Sequence, residues 1–121
     1  MSQTRSDRAA LLSDMYAAFN RRDVEAILPS LHPEVAWPNG WEGGFVHGHD
    51  GVRDYWARQW AAIDPSVTPL TFRHRPGGEL AVGVRQVVRD QAGRVVSDRR
   101  LDHVYTFRDG LIAAMDIRGL D

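Results

Sequence analysis

The chain has 121 residues, of which 43% are hydrophobic and 26% are charged; its formal net charge is −1 and it contains no cysteine. Because domains usually contain about 100–150 residues, we predict a single domain over residues 1–121, with its core at about 7–118. The lack of cysteine excludes thiol catalysis and disulfides, and the near-neutral charge argues against a nucleic-acid partner. The sequence has no apolar run long enough for a membrane span and no signal-peptide core, so we expect a cytoplasmic protein without a membrane partner.

Helical periodicity dominates the first half of the chain. Apolar residues at helical spacing predict a first helix over residues 5–20. Asp23 can cap a short second helix that Pro29 brings to an end. A third helix is expected to begin at a cap on Asp50 and to end before Pro65.

The second half changes to the alternation that is typical of strands. A brief strand at 35–37 and a glycine-rich loop or small hairpin over 39–48 come first. Four longer strands are predicted at 67–75, 80–88, 95–108 and 111–118. Asp109 and Gly110 join the last two, a strong signal for a β-hairpin. This order of elements predicts an α+β fold with helices on one face of a curved sheet.

Four segments of the sequence carry a family resemblance. They are YAAFNRRD at 16–23, LHPEVAW at 31–37, GHDGVRDYW at 48–56 and HVYTFRDGLI at 103–112. In this order they resemble the SnoaL-like branch of the nuclear-transport-factor-two-like superfamily, which also contains ketosteroid isomerase. The resemblance implies a cone-shaped α+β barrel, in which three N-terminal helices pack on a strongly curved antiparallel sheet with a deep pocket at one end. It also implies a homodimer formed through the outer face of the sheet.

The predicted hairpin yields a candidate acid/base pair. A two-residue turn at Asp109 and Gly110 places His103 directly opposite Asp116 on one face of the sheet. The carboxylate would orient the imidazole and favour its charged form. The resemblance adds that His103 falls where ketosteroid isomerase has the carboxylic acid of its oxyanion hole. The alternative is a buried histidine that a structural carboxylate satisfies, and a longer turn would break the pairing.

Aromatic side chains are the candidate substrate-binding residues. We predict a pocket lined by Tyr16, Trp37, Trp56, Trp60 and Tyr105, with Trp41 as a further candidate, although packing in the core would explain the same side chains. Trp37 precedes a proline at the position where the resemblance places the proton-abstracting aspartate of ketosteroid isomerase. Because an indole cannot act as a base, we predict that this protein is not a ketosteroid isomerase.

Neither a metal nor a cofactor is expected. His47 and His49 could form a metal site with Glu42 and Asp50, but the surrounding glycines favour an ordinary loop. The resemblance implies a pocket protein for a small apolar cyclic ligand. Its chemistry would be cofactor-free isomerisation, cyclisation, dehydration or epoxide hydrolysis. A ligand-binding or dimerisation module without catalysis is the alternative, and the sequence does not decide between enzyme and module.

Overall fold

The computed structural model describes residues 5–40 and 43–119 as a set of helices that cover one six-stranded sheet. Helices α1, α2 and α3 span Arg5–Asn20, Val24–Ile27 and Gly48–Ala62. Strands β1 to β6 span Leu31–Pro38, Phe45–His47, Asp64–His74, Leu80–Arg89, Val95–Arg108 and Leu111–Gly119. The predicted α+β class is confirmed, and β5 has the predicted bounds.

The sheet is mixed. Its strand order is β2-β1-β6-β5-β4-β3, and β1 runs parallel to β6 whereas the other neighbours are antiparallel. The expectation of an antiparallel sheet was therefore wrong for one pair of strands. Strand β1 pairs with its sequence neighbour β2, but it also lies parallel to β6, the last strand of the chain. Among the described strands, β2 and β3 remain as edges, so the sheet curves around the core without closing into a barrel.

Helix α1 lies on the concave face of this sheet. Its apolar stripe is buried, and it includes Leu12, Met15 and Phe19. At its C-terminal end, the Asn20 side chain donates to the Val67 carbonyl at 2.8 Å and accepts from the Val67 N–H at 2.9 Å. This pair of hydrogen bonds fixes the end of the helix against β3.

The caps of the other two helices differ in how well the sequence predicts them. The Asp23 side chain accepts a hydrogen bond from the Ala26 N–H, which confirms the predicted cap of α2. Helix α3 instead begins at Gly48, so the cap predicted at Asp50 was wrong. Asp50 lies in the first turn of α3, where its carboxylate is 3.0 Å from Arg53.

The β5–β6 hairpin begins with the predicted two-residue turn. Arg108 is paired with Leu111, and both turn residues, Asp109 and Gly110, have positive φ, as a type I′ turn requires. A few residues further on, the pairing shifts by one position. Ala113 is the extra residue on β6, and such an insertion is a β-bulge.

The bulge overturns the predicted acid/base pair. Beyond it, His103 is paired with Ile117, and Asp116 is paired with Val104. Because side chains alternate between the two faces of a strand, a shift of one residue moves Asp116 to the face away from His103. The turn was predicted correctly, but the pairing of His103 with Asp116 was wrong.

Not one of the described helices is both long enough and apolar enough to cross a membrane.

Candidate functional site

A cavity of about 650 Å³ lies between the helices and the concave face of the sheet. Buried aromatic side chains form much of its inner wall, namely Tyr16, Phe19, Trp37, Tyr55 and Trp56. More exposed polar side chains stand at its rim, namely Gln59, Gln86, Ser97, Arg99 and Asp116. The space is thus apolar inside and polar at its mouth, as is usual for sites that bind small organic molecules.

A buried chain of hydrogen bonds reaches the inner wall of the cavity. The Tyr16 Oη lies 2.9 Å from His103 Nδ1 and 2.6 Å from the Tyr105 Oη. His103 and Tyr105 are two residues apart on β5 and therefore share its inner face, whereas Tyr16 comes from α1. Tyr16 and His103 line the cavity, and Tyr105, which is completely buried, stands behind them.

The available acceptors determine which group donates in each of these two hydrogen bonds. Among the described residues, the Tyr105 hydroxyl has Tyr16 as its hydrogen-bond partner and no other acceptor. If Tyr105 donates to Tyr16, then Tyr16 donates to His103 Nδ1, and every hydroxyl proton has an acceptor. The opposite direction would leave the Tyr105 proton buried and unsatisfied, which is costly. The favoured arrangement therefore leaves the imidazole proton on Nε2.

Burial keeps all three members of the chain uncharged. It lowers the pKa of His103 to about 4, and the charge of Asp102 offsets this only in part. Burial also raises the pKa of Tyr16, with the Tyr105 hydrogen bond acting in the opposite sense. The pKa of Tyr105 is raised by burial and then by its interaction with Tyr16. Near neutral pH the site therefore offers neutral hydrogen-bond donors rather than an ion pair.

No carboxylate of residues 5–40 and 43–119 forms a hydrogen bond or an ion pair with His103. Asp116 belongs to the edge of the cavity, but its side chain is turned to the outer face of the sheet, where its carboxylate lies 3.4 Å from the Arg118 guanidinium. Asp102, the sequence neighbour of His103, faces outward and forms an ion pair with Arg73 at 2.6 Å. The residue that orients the imidazole is Tyr16, a partner that neither periodicity nor hairpin register indicates.

Of the predicted aromatic residues, Trp37 and Trp56 line the cavity. Their ring centroids are 5.2 Å apart in an edge-on arrangement. Trp60 stacks on Trp56 with 5.8 Å between the ring centroids. The Arg22 guanidinium carbon lies over the Trp60 ring, 5.5 Å from its centroid. Like Tyr105, Trp60 supports the wall without being one of the residues that line it, and Trp41 lies outside the described residues.

The candidate metal ligands His47 and His49 lie where β2 ends and α3 begins. His49 Nε2 lies 2.8 Å from the Leu31 carbonyl oxygen, a contact that ties the start of α3 to β1. Glu42 lies outside the described residues. Within the part of the chain that the structure describes, no three side chains of His, Asp or Glu are grouped closely enough to hold a metal ion.

Sequence reasoning missed four polar residues at the rim of the cavity, namely Gln59, Gln86, Ser97 and Arg99. Gln59 lies one helical turn beyond Tyr55 on α3, so the 3.6-residue period alone would have placed both on one face. Arg99 was interpreted as a solvated or ion-paired strand residue, but it lines the cavity. Strand alternation could have found it, because Arg99 lies four residues from His103 on the same face of β5.

Comparisons with known proteins agree with this architecture. The TerC protein, crystallised with polyporic acid, is 28% identical with a TM-score of 0.78, covering 93% of this chain and 89% of TerC. An NTF2-like protein of unknown function from Burkholderia pseudomallei is 26% identical with a TM-score of 0.79, again covering 93% and 89% of the two chains. The epoxide hydrolase/cyclase-like enzyme SalBIII shares the fold at 18% identity, with a TM-score of 0.80 and coverage of 97% and 93%.

Among curated protein sequences, none matches this chain significantly. The family described as the SnoaL-like domain, in contrast, matches residues 12–115. This match runs from within α1 to within β6 and thus includes all or part of every described element that builds the cavity. The chain therefore belongs to the SnoaL-like domain family.

Proposed function

We propose that this protein binds a small, largely apolar cyclic molecule in the cavity and polarises one of its oxygen atoms through His103. The observation that carries the proposal is the buried chain from Tyr105 through Tyr16 to His103, which ends at the cavity wall. In the favoured tautomer the imidazole proton is on Nε2, and His103 belongs to the wall of a cavity whose inner part is lined by aromatic side chains. A carbonyl, hydroxyl or epoxide oxygen of the ligand is the complementary acceptor.

The chemistry that suits this arrangement develops negative charge on that oxygen. A preorganised donor in a water-poor site stabilises such charge more strongly than water does. Complete transfer of a proton along the chain would leave a tyrosinate at Tyr105, which its burial disfavours. His103 therefore acts as a neutral electrophile, and Tyr16 holds it in the required tautomer. Isomerisation, cyclisation and epoxide opening all fit this role.

The position of Trp37 argues against the ketosteroid isomerase reaction. The resemblance places a catalytic aspartate there, but the residue present is a buried indole that packs edge-on against Trp56. Among the described residues that line the cavity, Asp116 is the carboxylate, and it stands exposed at the rim beside Arg118. The proposed role of His103 therefore involves no carboxylate base, since the register pairs His103 with Ile117 and turns Asp116 to the other face.

The similar proteins support a small organic ligand. TerC was crystallised with polyporic acid, and SalBIII is described as acting in pyran ring formation. At the identity of SalBIII the likeness concerns the fold alone, so its reaction guides the choice of test compounds and nothing further. Binding without conversion is the second candidate, and the lack of a described carboxylate partner for His103 favours it.

A thermal-shift screen against steroids, polyketide-like polycycles and terpenoid epoxides tests the proposal. A ligand at one hundred times its Kd adds roughly 2.7 kcal/mol of stability, which raises the Tm by several degrees. For each hit, an analogue that lacks the oxygen should bind more weakly. The His103→Phe variant should lose about fivefold in affinity for the oxygen-bearing hit alone, since one buried hydrogen bond is worth about 1 kcal/mol.

The control for this screen is His74→Phe, which changes an exposed histidine of β3. Equal affinity of wild type and His103→Phe for every hit would contradict the role of His103. Conversion of a hit, followed by chromatography, separates the two candidates. Turnover that His103→Phe abolishes supports the enzyme, whereas tight binding with no conversion supports the binding protein.

We also propose that the chain forms a homodimer through the outer face of the sheet and acts in the cytoplasm. The family resemblance supports the dimer, and the outer face carries paired charges such as Arg85 with Asp98. Sedimentation equilibrium at micromolar concentration should give twice the chain mass of 13.6 kDa. A monomer mass under those conditions would contradict the dimer.

A further inference from the structure

One row of side chains runs from the inner wall of the cavity to its mouth. On β5, Ser97, Arg99, Leu101 and His103 alternate with outward-facing residues, and all four line the cavity. Leu101 and His103 are buried, whereas Arg99 is exposed. The row therefore begins with a buried neutral donor and ends near a permanent positive charge in contact with solvent.

The carboxylates that flank Arg99 in the sequence face the other side of the sheet. Asp98 accepts from both Nε and an Nη of Arg85, at 2.9 Å and 2.7 Å. Asp102 accepts from Arg73 at 2.6 Å. Within the described part of the chain, no carboxylate lies within ion-pair distance of the Arg99 guanidinium.

The neighbours of Arg99 at the rim do not neutralise it either. Its partner across the sheet is Gln86 of β4, an uncharged side chain that also lines the cavity. Asp116, the acidic residue of the rim, lies 3.4 Å from Arg118. The Arg99 guanidinium thus keeps its donors available at the mouth of an otherwise apolar space.

We propose that Arg99 binds an anionic group of the ligand, so that the protein selects cyclic apolar acids over their neutral analogues. This inference rests on the proposed function, because it requires that the cavity admit a ligand. A guanidinium binds a carboxylate through two parallel hydrogen bonds, a geometry that a single ammonium donor cannot supply. The ligand class is an elongated acid, with its oxyanion at the mouth and an oxygen acceptor near His103.

The strand sets the length of that ligand. Arg99 and His103 are four residues apart on β5, which corresponds to roughly 13 Å between their Cα atoms at about 3.3 Å per residue. The two side chains converge on the same space, so the two polar ends of the ligand stand somewhat closer together. A molecule of two or three fused rings with a short acidic side chain meets this requirement.

A matched pair of fluorescent probes tests the inference directly. The anion 8-anilinonaphthalene-1-sulfonate and neutral N-phenyl-1-naphthylamine share one skeleton and differ by the sulfonate group. Both brighten in apolar surroundings, so titration gives the Kd and the stoichiometry of each. We expect Arg99→Gln to weaken binding of the anion at least fivefold while changing the neutral probe less than twofold. Added salt should weaken the anion alone, because exposed charges are screened.

Arg100→Gln is the control variant, since Arg100 is also exposed but faces outward beside Asp98. It removes the same charge from the same strand and should leave both probes unchanged. If Arg99→Gln weakens the two probes equally, or has no more effect than Arg100→Gln, the anion site is wrong while the cavity proposal stands. If neither probe binds wild type at one site per chain, both proposals fail.

Discussion

The two faces of strand β5 satisfy their polar groups in opposite ways. On the outer face, Asp98 and Asp102 are charged and paired with arginines from β4 and β3. On the inner face, His103 and Tyr105 are neutral and joined through Tyr16 by hydrogen bonds. Residues adjacent in the sequence thus belong to two different electrostatic environments.

Access to water accounts for the difference. In the single chain, solvent screens the outer pairs and hydrates their charges, so each pair adds little to stability. The contrast between the faces therefore applies to the monomeric chain, at concentrations below those at which the proposed dimer would cover this face. On the inner face a lost partner leaves a buried polar group unsatisfied, and its full desolvation cost then appears. Substitutions on the two faces should therefore separate by the size of their effect, although the number of hydrogen bonds removed is similar.

The largest effect should come from the apolar wall that makes the inner face dry. Trp56 is 1% exposed and contacts the rings of Phe19, Trp37 and Trp60. Trp56→Ala should lower the free energy of unfolding by about 3–5 kcal/mol, measured by urea denaturation. The control Val96→Ala, at a side chain that is 60% exposed, should stay within about 0.5 kcal/mol. A loss below 1 kcal/mol at Trp56 would contradict a close-packed wall.

The next effect depends on pH. Burial lowers the pKa of His103 from its ordinary 6.5 to about 4, so the unfolded chain takes up this proton more readily than the folded chain. The contribution of neutral, buried His103 to the free energy of unfolding is therefore complete above pH 6.5 and is lost as the pH falls toward 4. It amounts to at most about 3 kcal/mol.

Urea denaturation across pH 4–7 measures this linkage. His103→Gln should flatten the profile between pH 6.5 and 4, because the titrating group is gone. His74→Gln, at an exposed histidine of β3, serves as the control and should follow the wild-type profile. An identical slope in wild type and His103→Gln would show that His103 is hydrated, and the contrast between the faces would then fail.

Removing single hydroxyls from the inner face should cost less. Tyr16→Phe leaves both His103 Nδ1 and the Tyr105 proton without partners, and should cost about 2 kcal/mol. Tyr105→Phe removes only the first donor of the chain and should cost about 1 kcal/mol. Nitrogen-15 NMR of the imidazole should show the Nε2–H tautomer in wild type and in Tyr105→Phe. An Nδ1–H tautomer would mean that His103 donates to Tyr16 and Tyr16 to Tyr105, the opposite of the assigned direction.

The sequence predicted those parts of the fold that depend on local pattern. The helix at 5–20, the strand at 95–108 and the turn at Asp109 and Gly110 each follow from a short-range period or a turn preference. The parallel pairing of β1 with β6 joins distant segments, so no local pattern indicates it. The bulge at Ala113 has no turn residue or glycine to mark it, yet it moves Asp116 to the other face.

For the site, the sequence indicated residues but not their partners. Tyr16 and His103 were both singled out, but their contact depends on how α1 crosses the sheet. Trp60 shares a helical face with Trp56, yet it lies behind the cavity wall. Alternation alone could have placed Arg99 on the same face of β5 as His103. That no described carboxylate forms an ion pair with Arg99, however, depends on where Asp98 and Asp102 point in the folded chain.

The smallest expected effect tests the outer face. Asp102→Asn removes the ion pair with Arg73, in which the Asp102 side chain is 15% exposed and the Arg73 side chain is 55% exposed. Because Arg73 remains hydrated and the asparagine keeps a polar group at this position, the change should cost less than about 1 kcal/mol. It should also lower the pKa of His103 further, because the negative charge of Asp102 acts to raise it. The acid-induced loss of stability should therefore extend to lower pH. This further change in the pKa of His103 should be smaller than the one that burial causes, because the charge of Asp102 is the weaker of the two influences. If Asp102→Asn costs more than Tyr105→Phe in the same urea titration, water access does not separate the two faces, and the outer pair stabilises the strand more than its exposure implies.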